Sequence, residues 1–343
     1  MAKAVGCISG GLDSTLAARL IQRLGVEVVG LHVLHLWHAA PADADQKPAA
    51  VREAESRGIR VHLVDATEAD LAIVRHPEHG FGKRMNPCLD CRIWTLRKAR
   101  EIMDAEAADF IFTGEVLGQR PMSQHRGALR LVEREGGVED ILLRPLSAKL
   151  LEPTRPEREG LVDREQLLDI SGRSRRRQMA LAAEFGITEY ATPAGGCLLT
   201  DPGFAFRLKE LIGHEGLSAG GVELLKVGRH FRLADGSRIV VGRHLEDNLR
   251  LERLFREGDV RIEAATMPGP TTLLRQAACG LAINHQQNVR LAAALTLRYG
   301  KTAPGEAHPV RVMPVGGEEH IIEAAPADEA VSRGLIISPE QKQ

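Results

Sequence analysis

The segment Ser9-Gly10-Gly11-Leu12-Asp13-Ser14 decides the fold of the first part of this chain. It follows a short apolar run, Lys3 to Ile8, and precedes Leu16, Leu20 and Leu24, which recur at helical spacing. A glycine-rich turn between a strand and a helix lets backbone amides and the helix dipole hold an anion. The pattern therefore predicts a phosphate-binding turn.

Strand-like and helix-like runs alternate through the first half of the chain. The strand-like runs are Val26 to Leu34, Val61 to Val64 and Phe110 to Phe112, and the helix-like runs are Ala49 to Arg57, Cys91 to Ala108 and Arg175 to Phe185. Strands alternating with helices indicate a parallel sheet flanked by helices. We expect an α/β fold for this domain, which is predicted to span residues 1–212.

The pattern changes after about Ile212. Gly213 to Gly221 is rich in glycine, strand-turn-strand patterns such as Phe231 to Val241 follow, and His285 to Tyr299 is helix-like. We expect a second, smaller α+β domain over residues 213–343.

Composition and charge describe an ordinary globular protein. Hydrophobic residues make up 43% and charged residues 27% of the chain, with a net charge of -1. No apolar run approaches the ~20 residues that cross a bilayer, and no signal peptide is evident, so we expect a cytoplasmic protein without a membrane partner. Aromatic residues are only 3%, so any RNA contact should use phosphate more than base stacking.

The phosphate turn lacks the defining lysine of the P-loop kinases and the third glycine of the dinucleotide-binding motif. It resembles the SGGxDS loop of the PP-loop ATP pyrophosphatases. That resemblance implies cleavage of ATP between the α and β phosphates to adenylate a substrate. Ser9, Gly10, Gly11, Leu12 and Ser14 would then cradle the phosphates. Asp13 would hold Mg²⁺ or orient the phosphates, and His32 would lie beside adenine.

The cysteines suggest a metal or redox centre. Cys88 and Cys91 stand one helical turn apart, and Cys197 follows a glycine-rich run that can fold back to them. A structural zinc site needs a fourth ligand, for which His76 or His79 is available. A [4Fe-4S] cluster can be held by three cysteines with one iron left open. The remaining thiols are Cys7, expected in a buried strand, and Cys279, in the second domain.

A second motif narrows the resemblance. The run Thr113-Gly114-Glu115-Val116-Leu117-Gly118-Gln119, with Ser123 and Gln124, resembles a segment of the tRNA 4-thiouridine synthases. Together with the cysteines it resembles the iron-sulfur tRNA thiolation enzymes. The resemblance implies tRNA uridine thiolation, with Gly114 and Gln119 near ATP. It also implies a cluster on Cys88, Cys91 and Cys197, and sulfur from free sulfide or a desulfurase-derived carrier.

The competing resemblance is to the 2-thiouridylases. In that family pattern, Cys88 or Cys91 would pass a persulfide with Cys197, without a cluster. Two further readings stay open. One is a PP-loop enzyme that adenylates a small molecule, against which the absence of a glutaminase domain counts. The other is a non-catalytic RNA-binding or iron-sulfur sensor protein, which the intact phosphate turn disfavours.

Two basic regions are candidates for tRNA contact. The first is Arg175, Arg176 and Arg177 at the start of a predicted helix, where cations usually signal an anionic partner. The second includes Arg243, in a stretch that looks similar to the RNA-binding module of the NFACT proteins. The usual 4-thiouridine synthases carry a THUMP region ahead of the PP-loop, and here that loop begins at Ser9. We therefore expect residues beyond Gly213 to hold tRNA instead, and a homodimer is allowed. The expected phosphate contacts are Arg229, Arg232, Arg238 and Arg243.

Overall fold

The computed structural model describes residues 1–38, 47–188, 190, 196–277, 285–303 and 305–339. The chain divides into two compact units, Met1–Thr200 and Asp201–Gln343. The boundary expected at Gly213 falls inside the helix Pro202–Glu215, whose apolar side packs against the helix Ala219–Leu225 of the second unit. That packing gives the second unit an earlier start than the change in sequence pattern suggests.

The first unit alternates strands and helices. Its elements are β1 (Lys3–Cys7), α1 (Leu12–Arg23), β2 (Glu27–Leu34), α2 (Ala49–Ser56), β3 (Arg60–Asp65), α3 (Thr67–Arg75), α4 (Cys88–Ala105), β4 (Phe110–Thr113), α5 (Arg126–Gly136), β5 (Leu142–Leu143), α6 (Arg155–Arg158) and α7 (Arg176–Glu184). All pairings in the sheet are parallel, in the order β3-β2-β1-β4-β5. The predicted α/β fold is confirmed.

The strand order places a binding edge beside β1. The chain adds strands on one side of β1 and then crosses to β4 on the other side, so the order reverses between them. Ligands of open α/β sheets bind outside the carboxyl ends of the strands at such a reversal. The loops after β1, β2 and β4 all leave from that edge. Apolar clusters on both faces, one with α1 and α7 and one with α4, make this edge rigid.

The second unit is built on an antiparallel sheet. Its elements are α8 (Pro202–Glu215), α9 (Ala219–Leu225), β6 (Arg229–Arg232), β7 (Arg238–Val241), α10 (Leu245–Glu252), β8 (Val260–Ala264), β9 (Thr272–Arg275), α11 (His285–Arg298), β10 (His308–Pro314), β11 (His320–Ala324) and α12 (Glu329–Leu335). The six strands run in the order β11-β10-β8-β9-β7-β6, and α11 packs on them. The predicted α+β character is confirmed. Over the described ranges, no helix has the length and apolar character needed to cross a membrane.

Candidate active site

The phosphate turn lies between β1 and α1, where the sequence predicted it. Gly10 has a φ of 77°, and a Cβ on it would lie 2.5 Å from the Cβ of Ala50, so a side chain is excluded there. Gly11 caps α1 without a side chain to engage the first-turn amides, which remain available to an anion. The Ser14 hydroxyl donates to the Gly11 carbonyl at 2.9 Å and lies 3.1 Å from the Ser9 hydroxyl. These contacts hold the turn open for phosphate.

Asp13, in the first turn of α1, has one engaged carboxylate oxygen and one open one. Oδ2 accepts from Gln119 Nε2 at 3.1 Å and lies 3.6 Å from a guanidinium nitrogen of Arg175. Oδ1 is buried and has no hydrogen-bond partner among the described residues. A buried oxygen of this kind is costly unless a ligand satisfies it, and carboxylate oxygen is a preferred ligand of Mg²⁺. The residues at Asp13 therefore fit a bound Mg²⁺.

The loop after β4 lies directly on the phosphate turn. A Cβ on Gly114 would lie 2.4 Å from the backbone nitrogen of Ser14 and 2.5 Å from the carbonyl carbon of Asp13. Glycine is therefore required for this close approach. Further along the loop, Gln119 reaches back to Asp13. The structure thus brings Gly114 and Gln119 to the Ser9 turn, as the sequence predicted from the second motif.

His32 links the end of β2 to the residue before the phosphate turn. Its Nδ1 donates to the Ile8 carbonyl at 2.7 Å, since a carbonyl only accepts. Burial lowers the pKa of His32, which the Ile8 contact opposes and the charge of His35 reinforces. The imidazole is therefore neutral at pH 7 with Nε2 as an acceptor. Such an acceptor suits the amino edge of adenine, and that role stays a prediction.

One of the three clustered arginines lies at the phosphate turn. Arg175, the residue before α7, is 3.6 Å from the Asp13 carboxylate. Arg177 instead pairs with Asp169 at 2.6 Å, and Arg176 is exposed. Arg175 therefore lies at the phosphate turn, and contact of Arg176 and Arg177 with RNA stays a prediction.

The three cysteines of the sequence prediction are held near one another. Cys88 begins α4, and Cys91 follows one turn later. The segment with Cys197 is fixed by the Leu198 amide, which donates to the Trp37 carbonyl at 2.9 Å. The Met85 amide, three residues before α4, also donates to the Leu199 carbonyl at 3.3 Å, so the segment with Cys197 lies beside the start of α4.

Burial and neighbouring charges raise the pKa values of the Cys91 and Cys197 thiols. Burial is the largest cause that raises the pKa of Cys91, followed by the charges of Asp70, Cys197 and Cys88. Burial also raises the pKa of Cys197 to about 12, opposed by a backbone hydrogen bond and reinforced by Cys88 and Asp70. Thiolates that repel one another beside a buried carboxylate are stabilised by a bound cation. This donor set fits a metal centre.

The spacing of the cysteines does not fit one zinc ion. Zinc binds thiolates at about 2.3 Å in a tetrahedron, which places their sulfur atoms about 3.8 Å apart. Across the described residues, a single set of three or more His, Cys, Asp or Glu has all its ligand atoms within 4.8 Å of one another, namely Glu78, His79 and Asp90. The sulfur atoms of the three cysteines are therefore not all within 4.8 Å of one another, which is too wide as they stand for one zinc ion.

Other candidate ligands lie elsewhere. His79, a possible fourth ligand from the sequence, directs Nδ1 to Asp90 at 2.9 Å and Nε2 to Glu135 at 3.2 Å, so neither ring nitrogen is open. Cys7 lies in β1, where burial raises its pKa to about 12. Cys279 is outside the described residues. Neither His79 nor Cys7 is therefore available as a further ligand, and a fourth ligand from His76 stays a prediction.

Sequence reasoning missed an ion-pair network beside the site. Glu115, 3% exposed, accepts from Arg92 Nε and from Arg144 Nε at 3.0 Å each, and from the Thr113 hydroxyl at 3.1 Å. Burial alone raises the pKa of Glu115, but the two arginines outweigh it and lower the pKa to about 2. The motif that contains Glu115 was visible in the sequence. Nothing in the sequence indicated that Glu115 pairs with Arg92, because Arg92 lies 23 residues earlier in the chain.

The arginines of the second unit differ in their availability. Arg238 is 1% exposed and pairs with Glu210 at 2.8 Å, and Arg232 binds the same carboxylate. These two arginines hold α8 to the β6–β7 hairpin. Arg243 pairs with Asp247 at 2.6 Å but keeps 45% of its side chain exposed. Of these three, Arg243 is the one open to an RNA phosphate.

The first sheet and its turn define a class of domain. A parallel sheet whose first strand runs into the Ser9–Ser14 turn, with the loop after β4 packed on that turn, is a PP-loop-like α/β domain. Residues 1–149 match the family described as thiamine biosynthesis protein (ThiI), and residues 228–333 match the NFACT protein RNA binding domain. The chain therefore carries one segment similar to the ThiI family and a second segment similar to the NFACT RNA binding domain.

Curated relatives share part of the chain. The tRNA-specific 2-thiouridylase MnmA of Sulfurimonas denitrificans is 31% identical over 115 residues, which cover 32% of this chain and 33% of the relative. The enzyme of the same name from Geotalea uraniireducens is 26% identical over 265 residues, covering 70% of this chain and 65% of the relative. The chain thus spans between 33% and 65% of the length of these two relatives.

Two solved structures that the chain resembles in part are a synthetase bound to RNA and a tRNA thiolase. A 4-thiouridine synthetase in complex with RNA and ATP has 19% identity and a TM-score of 0.34, covering 66% of this chain and 52% of that one. The U34-tRNA thiolase NcsA from Methanococcus maripaludis with its [4Fe-4S] cluster has 17% identity and a TM-score of 0.33, covering 66% and 70%.

Proposed function

We propose that this protein uses ATP to replace a carbonyl oxygen of a tRNA uridine by sulfur. The observation that supports it most is the presence, in one unit, of a phosphate turn and a three-cysteine centre. The ThiI-family match supports the nucleotide half of the reaction, and the NFACT match supports an RNA partner. The relatives named tRNA-specific 2-thiouridylases agree with both.

The first step activates the uridine. ATP binds with its phosphates over the Ser9–Ser14 turn, where the first-turn amides of α1 and the Arg175 guanidinium offset their charge. Asp13 would hold Mg²⁺ there through its open oxygen. The uridine carbonyl oxygen attacks the α-phosphorus, the bond to the β-phosphate oxygen breaks, and N3 loses its proton. Pyrophosphate leaves, and the uridine is left adenylated on oxygen.

The second step delivers sulfur. Cys88, Cys91 and Cys197 would hold a [4Fe-4S] cluster, which supplies an iron without a protein ligand at which sulfide can bind. Asp70 and burial both disfavour free thiolates at this centre, so a cationic occupant is stabilised. In the exchange a carbon–sulfur bond forms at the activated carbon and the carbon–oxygen bond to AMP breaks. Free sulfide supplies the sulfur directly, whereas the persulfide of a desulfurase-derived carrier must first be reduced to sulfide by an external thiol, which ends as a disulfide.

A second route uses the same cysteines without a cluster. The charge of Cys88 acts on Cys197, so the two thiols lie near each other, and this closeness and the names of the relatives favour it as an alternative. One cysteine carries a persulfide, and the other releases its outer sulfur by forming a disulfide, which an external thiol must then reduce. Iron and sulfide content of protein purified without oxygen separates the routes. About four of each per chain indicates the cluster.

The reaction class is tested with ATP labelled at the α-phosphate. We expect label in AMP, with pyrophosphate released, and a faster reaction when unmodified tRNA is present. Label in ADP would place the cleavage at the wrong bond. An AMP yield that does not respond to tRNA, yet rises with a small-molecule extract, would favour a non-RNA substrate.

The Arg175→Ala variant is expected to lower kcat/KM for ATP by about 100-fold, because it removes a cation beside the phosphate turn. The matched control is Arg100→Ala, which removes an arginine that pairs with Asp104 at 3.1 Å on the surface of α4 and should stay within about twofold. Steady-state AMP formation at varied ATP measures both. Equal losses in the two variants would contradict the assignment of Arg175 to the nucleotide.

In the second unit, Arg243→Ala is expected to weaken tRNA binding. The slope of log affinity against log salt concentration should become shallower by about 1, because one phosphate contact is lost. Gel-shift titrations at two salt concentrations measure this. Arg238→Ala should instead lower the free energy of unfolding by about 1 to 3 kcal/mol, because it removes a buried guanidinium that pairs with both Glu210 and Glu215. An Arg243→Ala protein with unchanged affinity and salt slope would exclude this contact.

A further inference from the structure

We propose that Glu115 and Arg92 are positioning residues that tie the cysteine turn of α4 to the nucleotide turn, so that nucleotide binding orders the cysteine centre. The biological meaning of this coupling rests on the proposed function, since coordination is needed only if uridine activation at the nucleotide turn is followed by sulfur delivery at the cysteines. The physical claim concerns three contacts in one unit.

The first contact joins the nucleotide turn to the loop after β4. Gly114 lies so close to the backbone of Asp13 and Ser14 that a Cβ would collide with it at 2.4 Å. Gln119, at the other end of the same loop, donates to Asp13 at 3.1 Å. A ligand that moves Asp13 therefore moves this loop, because interiors packed this closely transmit displacement.

The second contact joins that loop to α4. Arg92 donates through Nε to Glu115 Oε1 at 3.0 Å, and a second guanidinium nitrogen lies 2.5 Å from the same oxygen. The other carboxylate oxygen of Glu115, Oε2, accepts from the Thr113 hydroxyl and from Nε of the buried Arg144. With these partners the carboxylate has one position, so the loop and Arg92 are fixed to each other.

The third contact reaches the thiols. Arg92 directly follows Cys91 in the first turn of α4, the turn that also carries Cys88. The turn is held as continuous helix, since the Cys91 amide donates to the Pro87 carbonyl at 3.1 Å and the Thr95 hydroxyl donates to the Cys91 carbonyl at 2.8 Å. A shift of Glu115 is therefore transmitted to the turn that holds two of the three cysteines.

The test measures how a nucleotide protects these thiols in the full-length, reduced protein. We use α,β-methylene ATP with Mg²⁺, which binds without being cleaved between the α and β phosphates, and follow iodoacetamide alkylation of Cys88 and Cys91 by mass spectrometry. In the natural protein the analogue is expected to change the alkylation rate by about fivefold. In Arg92→Met that effect should disappear while the affinity for the analogue stays within about twofold.

The controls separate coupling from folding. Arg97→Met changes an exposed arginine on the same helix and should keep the full nucleotide effect. Arg92→Lys retains a cation opposite Glu115 and should restore part of the effect, which also serves if Arg92→Met does not fold. Full nucleotide protection in Arg92→Met, or none in the natural protein, would overturn the proposal.

The same assay distinguishes this proposal from the proposed function. Alkylation needs neither RNA nor sulfur transfer, so the coupling stands or falls without a thiolated product. If thiouridine forms and protection is independent of Arg92, only the coupling is wrong. If protection depends on Arg92 and thiouridine never forms, only the function is wrong. If the coupling and the proposed function are both right, Arg92→Met should release about tenfold more AMP per thiouridine than the natural protein, because uridine activation is no longer coordinated with sulfur delivery.

Discussion

Serine in place of Cys88, Cys91 or Cys197 is expected to lower thiouridine formation by about 1000-fold or more, while tRNA-dependent AMP formation continues. A hydroxyl neither holds iron as a thiolate does nor carries a persulfide. The phosphate turn is made of other residues, so the first step should survive. Nucleoside mass spectrometry and labelled AMP, measured on the same reactions, test the split.

The control for these variants is Cys7→Ser. Cys7 lies in β1 rather than at the first turn of α4, so the change should cost at most about 1 kcal/mol of stability and leave thiolation intact. Among the three site variants, loss of activity in all of them supports the cluster. An active Cys88→Ser or Cys91→Ser protein marks that cysteine as dispensable and favours persulfide transfer. Full thiolation by a triple-serine protein would remove the cysteine centre from the mechanism.

Asn in place of Asp13 is expected to lower AMP formation by about 100-fold to 1000-fold. The substitution keeps the size of the side chain but removes the negative charge, and the buried Oδ1 is the group best suited to Mg²⁺. Arg175 also loses its carboxylate partner. Magnesium titrations of AMP formation should show a weaker metal dependence in the variant.

The matched control is Asp104→Asn, which removes an exposed carboxylate whose pair with Arg100 lies on the surface of α4. Surface pairs of this kind are worth about 0 to 1 kcal/mol, so activity should be unchanged. The cysteine centre should keep its iron and sulfide in both variants, because Asp13 belongs to the nucleotide turn. Near-normal AMP formation by Asp13→Asn would contradict the assignment of this turn to ATP.

Local patterns were enough to predict the sheet and the phosphate turn. Two glycines between an apolar run and a helical repeat have few other uses, and Gly10 does adopt the left-handed conformation that favours glycine. The spacing of Cys88 and Cys91 likewise placed both on one helical turn. Such features depend on residues close together in the chain, so the sequence displays them directly.

Contacts between distant residues could not be predicted in this way. Arg175 was expected to meet RNA because it belongs to a basic run, yet it lies beside Asp13, which is far away in sequence. Arg232 and Arg238 alternate with apolar residues like exposed strand positions, but the carboxylate of Glu210 on α8 draws both inward. Tertiary packing decides which carboxylate each arginine pairs with, and the charge pattern of the sequence does not predict that packing.

The most direct test is nucleoside mass spectrometry of unmodified tRNA after incubation with the anaerobically purified full-length protein, ATP, Mg²⁺ and sulfide. The account predicts a uridine with one oxygen replaced by sulfur, formed only with ATP, in step with AMP, and lost in the Asp13→Asn and Cys197→Ser proteins. No thiouridine from protein that carries its full iron and sulfide and releases AMP in the presence of tRNA would contradict the account.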